Sequence, residues 1–222
     1  MTVLEAPQMV TGSRMLYFTW VPADPGAVAA LLPTALTPVE NHQVFMNQYV
    51  VDSEQQTSGF PAYSLTYLGA DVAGHDTPDG AVSGRWWTHY FNSSPQMREY
   101  TSARGVPATP GETTLELDGE RLVATMSVDG VEVIRSTARV GEPSGAVGRG
   151  QLRYITDVDG TLMSGLYPFV AELVDPFEVL SLEFLDPDHP VYALRPTDPL
   201  DVTWGFHSPR SAFCYPGGEG PL

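Results

Sequence analysis

Apolar and polar positions along this chain alternate over short stretches more often than they recur at helical spacing, so strands dominate the prediction. Met15 to Val21 is aromatic, β-branched and uncharged, the mark of a buried strand. A short helix follows: Asp24 is placed to cap it, Pro25 fits its first position, Ala27 to Leu32 carry the apolar stripe and Pro33 ends it. Val44 to Val51 and Tyr63 to Val72 read as strands, separated by a polar loop. After the turn cluster His75 to Gly80, Gly84 to Asn92 is the most aromatic segment and a further strand. Ser94-Pro95 opens a second helix over Gln96 to Arg104, closed by Gly105.

Beyond Thr113 the pattern is that of hairpins. Thr113 to Leu117 and Arg121 to Val128 flank Asp118-Gly119-Glu120, and Val131 to Val140 follows Asp129-Gly130. Asp-Gly between alternating runs is a strong turn signal. Gly141 to Gly150 is rich in Gly, Pro and Ser and reads as a loop. Gln151 to Val158 and Thr161 to Leu166 form another hairpin across Asp159-Gly160, and Tyr167 to Val174 is a candidate third helix. Phe177 to Leu185 and Leu200 to Phe206 complete the set. The expected class is mostly β (α+β): a closed or partly open antiparallel β-barrel with a few short helices, in one domain spanning 1–222. A barrel of this kind can enclose a small ligand, and aromatic walls favour an apolar, unsaturated one.

Composition narrows the chemistry. The net charge of -16 disfavours nucleic acid and anionic membrane surfaces as partners. One cysteine, Cys214, excludes a disulfide framework and Cys-rich metal sites. The histidines show no metal-ligand spacing, and no nucleotide-binding or serine-hydrolase motif is present, so neither a metal nor a cofactor is expected. The chain has no apolar run long enough to span a membrane and no visible signal peptide, which predicts a cytoplasmic protein. All 11 basic residues are arginine; there is no lysine. An imine-forming enzyme needs a primary amine that can lose its proton, which arginine cannot supply. Apart from the N-terminal amine of Met1, Schiff-base chemistry is therefore excluded.

Alternation places Arg14 on one strand face with Leu16, Phe18 and Trp20. An inward-facing Arg14 would hold a carboxylate or enolate; the plainer reading is a strand-end arginine paired with an acid. In the Arg85–Tyr90 strand, Arg85, Trp87 and His89 share a face by the same rule, opposite Trp86, Thr88 and Tyr90. His89 is a candidate acid–base group beside a stacking Trp87, or simply a hydrogen-bonded core histidine. Glu99 on the second helix is a candidate proton shuttle if buried, and a solvated helix-face residue otherwise. Met46, Gln48, Tyr63 and Met97 complete the predicted lining with Phe18, Trp20 and Trp87.

Two stretches resemble the acetoacetate decarboxylase superfamily. In the first, Arg14 opens an aromatic strand, an Asp24-initiated helix ends in Leu31-Leu32-Pro33, and Leu36-Thr37-Pro38 leads to the next strand. In the second, a strand, the turn Asn92-Ser93-Ser94-Pro95, a helix and Val106-Pro107-Ala108-Thr109 follow the order that in the family leads to a Tyr-Pro-Lys-Lys stretch. Asp188 to Pro196 is a weaker echo of a C-terminal segment. The resemblance implies the family's β-barrel, self-association, and an active site built on lysine, an acidic partner and arginine. Ala108 and Thr109 stand at the lysine pair, and Leu65 stands where the acid would be; only Arg14 matches. The implied protein is a divergent member lacking the Schiff-base lysine. As an enzyme of polyketide-like specialised metabolism it would promote cyclisation, isomerisation or dehydration of an apolar, carbonyl-containing molecule. The alternative is a non-catalytic small-molecule-binding protein on the same scaffold.

Overall fold

The computed structural model describes residues 4–222, so the Met1 amine lies outside the described residues. Eleven strands form one sheet. They are β1 (Gln8–Trp20), β2 (Val44–Val51), β3 (Tyr63–Val72), β4 (Gly84–Asn92), β5 (Ala108–Pro110), β6 (Glu112–Asp118), β7 (Arg121–Val128), β8 (Val131–Val158), β9 (Thr161–Phe184), β10 (Val202–Tyr215) and β11 (Gly220–Pro221). The helices are α1 (Pro25–Ala29) and α2 (Pro95–Ser102), with 3₁₀ turns at Glu54–Gln56 and Pro190–Leu194. Each α-helix starts at the cap its sequence offers: Asp24 accepts from the Ala27 amide at 2.9 Å and Ser94 from the Met97 amide at 3.3 Å.

Strands β10, β1, β2, β3, β4, β8 and β9 follow one another around a ring that the β9–β10 pairing closes. It is not a strict barrel. β4 meets β8 only at Arg85–Tyr154 and Trp86–Ile155, and this pairing is parallel, as is β4 with β5. β8 and β9 are long enough to serve two layers. Their paired halves near Asp159-Gly160 complete the ring, while Val131–Val140 and Phe177–Phe184 join β6 and β7 in an outer sheet.

The expected loop at Gly141–Gly150 and the candidate helix at Tyr167–Val174 are therefore both strand. Each supplies the other's partners, from Glu142–Asp175 to Gly150–Phe169, with a bulge between Pro143 and Val147. Cross-strand pairing outweighs the local turn composition here. The hairpin turns match their sequence: Asp129, Gly130, Asp159 and Gly160 all have positive φ, as a two-residue turn of this twist requires.

Both faces of the β1–β4 sheet are buried. Leu16, Phe18, Trp20, Met46 and Leu68 pack against Leu122, Met126, Ile134 and Leu182 of the outer sheet. Full burial of a residue such as Phe18 or Leu16 stabilises by about 1.5–3 kcal/mol. The opposite face, with Met15, Tyr17, Phe45, Tyr49, Tyr67 and Trp87, points into the ring.

Candidate small-molecule site in the ring

Strand register sorts the interior side chains into layers. Thr19, Phe45, Gly69 and Trp87 are neighbours across β1–β4; Tyr17, Asn47, Tyr67 and Tyr90 come next; Met15, Tyr49 and Leu65 lie beyond. Gly69 is required where it stands. A Cβ there would sit 1.8 Å from the Trp86 carbonyl oxygen and 2.7 Å from Phe45 Cζ.

Tyrosines fill the far end. Tyr49 Oη lies 3.1 Å from Tyr63 Oη and 2.7 Å from Tyr215 Oη, which is 3.3 Å from Tyr90 Oη. A second chain joins Tyr154 Oη to Tyr67 Oη at 2.7 Å, with Asn47 Nδ2 donating to Tyr67 at 3.0 Å. Burial lifts the pKa of Tyr49, Tyr63, Tyr67, Tyr90 and Tyr154 well above the ordinary phenol range, so these phenols are neutral hydrogen-bonding groups at physiological pH. The void left among these rings is about 50 Å³, room for a few atoms.

The larger space lies at the opposite end. A cleft of about 450 Å³ is lined by Thr19, Gln43, Asp71, Arg85, Arg149 and Trp204, among others. That is within the usual range of ligand pockets. Leu152, Phe169 and Trp204 line both the cleft and the inner void. Arg85 is 3% exposed. Its Nε donates to Asp71 Oδ1 at 3.1 Å, and Gln43 Nε2 donates to the other oxygen at 2.7 Å. The guanidinium carbon lies 5.2 Å from the Tyr17 ring centre and 5.3 Å from that of Phe45. Burial raises the Asp71 pKa, while Arg85 and Gln43 oppose the shift.

The sequence-predicted residues divide between the two faces. Trp87 lines the void, stacked on Tyr154; Tyr63 closes one hydroxyl chain; Met97 is buried against the tyrosine cluster from α2. Phe18, Trp20 and Met46 lie in the core facing the outer sheet, where Trp20 Nε1 donates to the Leu194 carbonyl at 2.9 Å. Gln48 faces that side too, accepting from Ser136 Oγ at 2.7 Å. Arg14 shares this face and forms a two-pronged pair with Asp52, at 2.9 and 2.7 Å, while donating to the Leu115 carbonyl. Glu99 is exposed on α2.

His89 also leaves the cavity, for a specific reason. Leu68 pairs with His89 and Gly69 with Trp87, so Thr88 is an extra residue and β4 carries a bulge. The bulge reverses the alternation: Arg85, Trp87 and Tyr90 face inward, and His89 stacks on Phe91 near His189. Burial and the nearby His189 lower the His89 pKa to about 4. The residues missed as site candidates are Arg85, Asp71 and Tyr17. The available signal was an arginine embedded in the most aromatic strand.

No family model and no curated protein matches this chain by sequence. Solved structures do match. The acetoacetate decarboxylase of Legionella pneumophila subsp. pneumophila str. Philadelphia 1 superimposes with a TM-score of 0.70 at 14% identity, covering 100% of this chain and 90% of that one. The chain has the acetoacetate decarboxylase fold. The enduracididine biosynthesis enzyme MppR complexed with pyruvate shares it (TM-score 0.66, 13% identity, 99% and 91% covered), as does an acetoacetate decarboxylase-like enzyme from Sphingomonas wittichii RW1 (0.61, 15%, 100% and 94%). Within this acetoacetate decarboxylase fold, Ala108 and Thr109 lie on β5 beside Tyr90 and Phe91. Ala108 packs against the tyrosine cluster, and Leu65 is buried within it. The segment that the sequence resemblance associates with an amine thus abuts phenols.

Proposed function

We propose that this chain is an enzyme of specialised metabolism that acts without an amine nucleophile on a planar, conjugated carbonyl compound. The observation that carries the reading is the cleft itself: a polar, charged opening in which Leu152, Phe169 and Trp204 lead to an interior of neutral phenols, in a chain without lysine. Such a site binds a flat, unsaturated body by stacking and burial. Phenol, indole and guanidinium donors fixed in a low-dielectric interior stabilise negative charge developing on a carbonyl oxygen. Holding a flexible polycarbonyl chain in a reactive fold removes part of the barrier to ring closure. Cyclisation, isomerisation or dehydration is the class of reaction these groups support.

Incubation of linear poly-β-ketone thioesters with substoichiometric protein, followed by mass spectrometry, tests this. Several product molecules per protein are expected, with none in a heat-treated control. A second reading has its own support: the hydroxyl chains among the tyrosines are already satisfied internally. Tight stoichiometric binding with no turnover would favour that non-catalytic carrier.

A further inference from the structure

Buried polar groups are almost always paired, so those that are not demand a partner. Three donors around the junction of void and cleft have none: Arg85 Nη1, the Tyr17 hydroxyl and Trp87 Nε1. Tyr17 and Trp87 line the void, Arg85 lines the cleft, and the guanidinium sits against the Tyr17 ring. Arginine and indole nitrogens only donate, and a phenol donates readily. One acceptor, Asn47 Oδ1, is also unpaired beside the void. It can take a proton-bearing donor such as the Tyr17 hydroxyl but cannot serve all three.

We infer that the junction is an oxyanion site, with Arg85 as the anchor for the carboxylate or enolate head of a conjugated acid. The body of the ligand extends along Leu152, Phe169 and Trp204 into the cleft. Several features fit. Asp71 uses the Nε edge of Arg85 only, so the charge is held in place while the rest of the fork stays free. Arg149, exposed and in the cleft lining, adds a second positive group there, which Asp79 of the same lining opposes. A planar oxyanion also matches the fork of a guanidinium better than a point charge does. This inference rests on the small-molecule reading above and adds the ligand's charge class and the residue that reads it.

Calorimetric titration with three probes separates the two. trans-Cinnamate carries a carboxylate, 1-phenylbutane-1,3-dione supplies an enolate at alkaline pH, and cinnamamide has nearly the shape of cinnamate without the charge. Cinnamate or the enolate should bind at least tenfold more tightly than the amide. That preference should disappear in the Arg85→Gln/Asp71→Asn double variant, which removes both buried charges together, and survive in Arg14→Gln. Arg85→Lys keeps the charge beside Asp71 and loses the fork, and should keep only part of the preference. Equal affinity for acid and amide overturns the oxyanion site and leaves the small-molecule reading standing. A preference unchanged in the double variant, or abolished by Arg149→Gln alone, moves recognition away from Arg85 and also overturns it. Binding of none of the probes at millimolar concentration overturns both.

Discussion

Trp87 and Tyr154 stack with ring centres 4.2 Å apart and planes 11° from parallel, across the place where β4 meets β8. Backbone pairing there amounts to two residue pairs, so this stack and its neighbours hold the ring shut. Tyr67 and Tyr167 press edge-on against the same indole, at 6.0 and 5.7 Å. Trp87→Ala should cost about 3–5 kcal/mol of stability by removing a large core side chain at this seam. Tyr154→Phe keeps the stack and loses one hydroxyl contact, about 1 kcal/mol. Urea denaturation of both variants gives the comparison; equal losses would mean that the hydroxyl chain, and not the stack, carries the seam.

Why β4 escaped a correct reading from sequence follows from the same strand. Its aromatic content and boundaries are plain in the sequence, and so are the Asp-Gly hairpins, because local conformation decides them. The bulge at Thr88 is not local: it is set by how β4 pairs with Leu68 and Gly69. One extra residue there sends His89 outward and Tyr90 inward. On β1 the alternation of Arg14, Leu16, Phe18 and Trp20 holds, yet that face looks onto the outer sheet. Periodicity separates one face from the other but cannot tell which of two buried faces encloses a cavity. For β8 and β9, Gly and Pro argue for a loop, and only the partner strand overrides them.

Arg14 tests the assignment of faces directly. The Asp52 carboxylate beside it has a pKa held below the ordinary value, chiefly by the hydrogen bonds from Arg14. The pair is substantially exposed, with side-chain accessibilities of 38% and 48%, so solvent screening leaves it worth up to about 1 kcal/mol. Arg14→Ala is expected to lower stability by no more than that and to leave ligand affinity within twofold of wild type. A large loss of affinity with stability intact would return Arg14 to the site.

Acid should destabilise the protein through two histidines. Burial lowers the pKa of His89 and His207 from the ordinary 6.5 of a histidine to about 4. His207 Nδ1 lies 3.0 Å from the Met15 carbonyl, and His89 Nδ1 3.0 Å from Thr88 Oγ1. With folded values below unfolded ones, the unfolded chain takes up more protons between about pH 6.5 and 4. Stability therefore falls as the pH falls through that window, by at most on the order of 3 kcal/mol for each group, and this contribution levels off below it. Asp71, whose pKa is raised, acts in the opposite sense, gaining stability as it protonates. His89→Gln should flatten part of the slope when thermal unfolding is followed across the window. An unchanged slope in that variant would assign the acid sensitivity to the carboxylates.

Asp71 and Arg85 form the most deeply buried ion pair of the described residues, with side chains 5% and 4% exposed. Taking two charges out of water is costly, and their attraction only offsets that cost while both remain. Asp71→Ala leaves a guanidinium without a counter-charge and Gln43 without its acceptor. A loss of about 3–5 kcal/mol is expected. Replacing the pair together, Arg85→Met with Asp71→Leu, removes both desolvation penalties and should recover most of that loss. Stability and ligand affinity then part company. The double variant should unfold near the wild-type denaturant midpoint yet bind anionic ligands at least tenfold more weakly, because the pair's place in the fold is filled by apolar contact while the donor at the junction is gone. A double variant as unstable as Asp71→Ala would show that the pair is needed to shape the ring itself, through the rings of Tyr17 and Phe45 that flank the guanidinium.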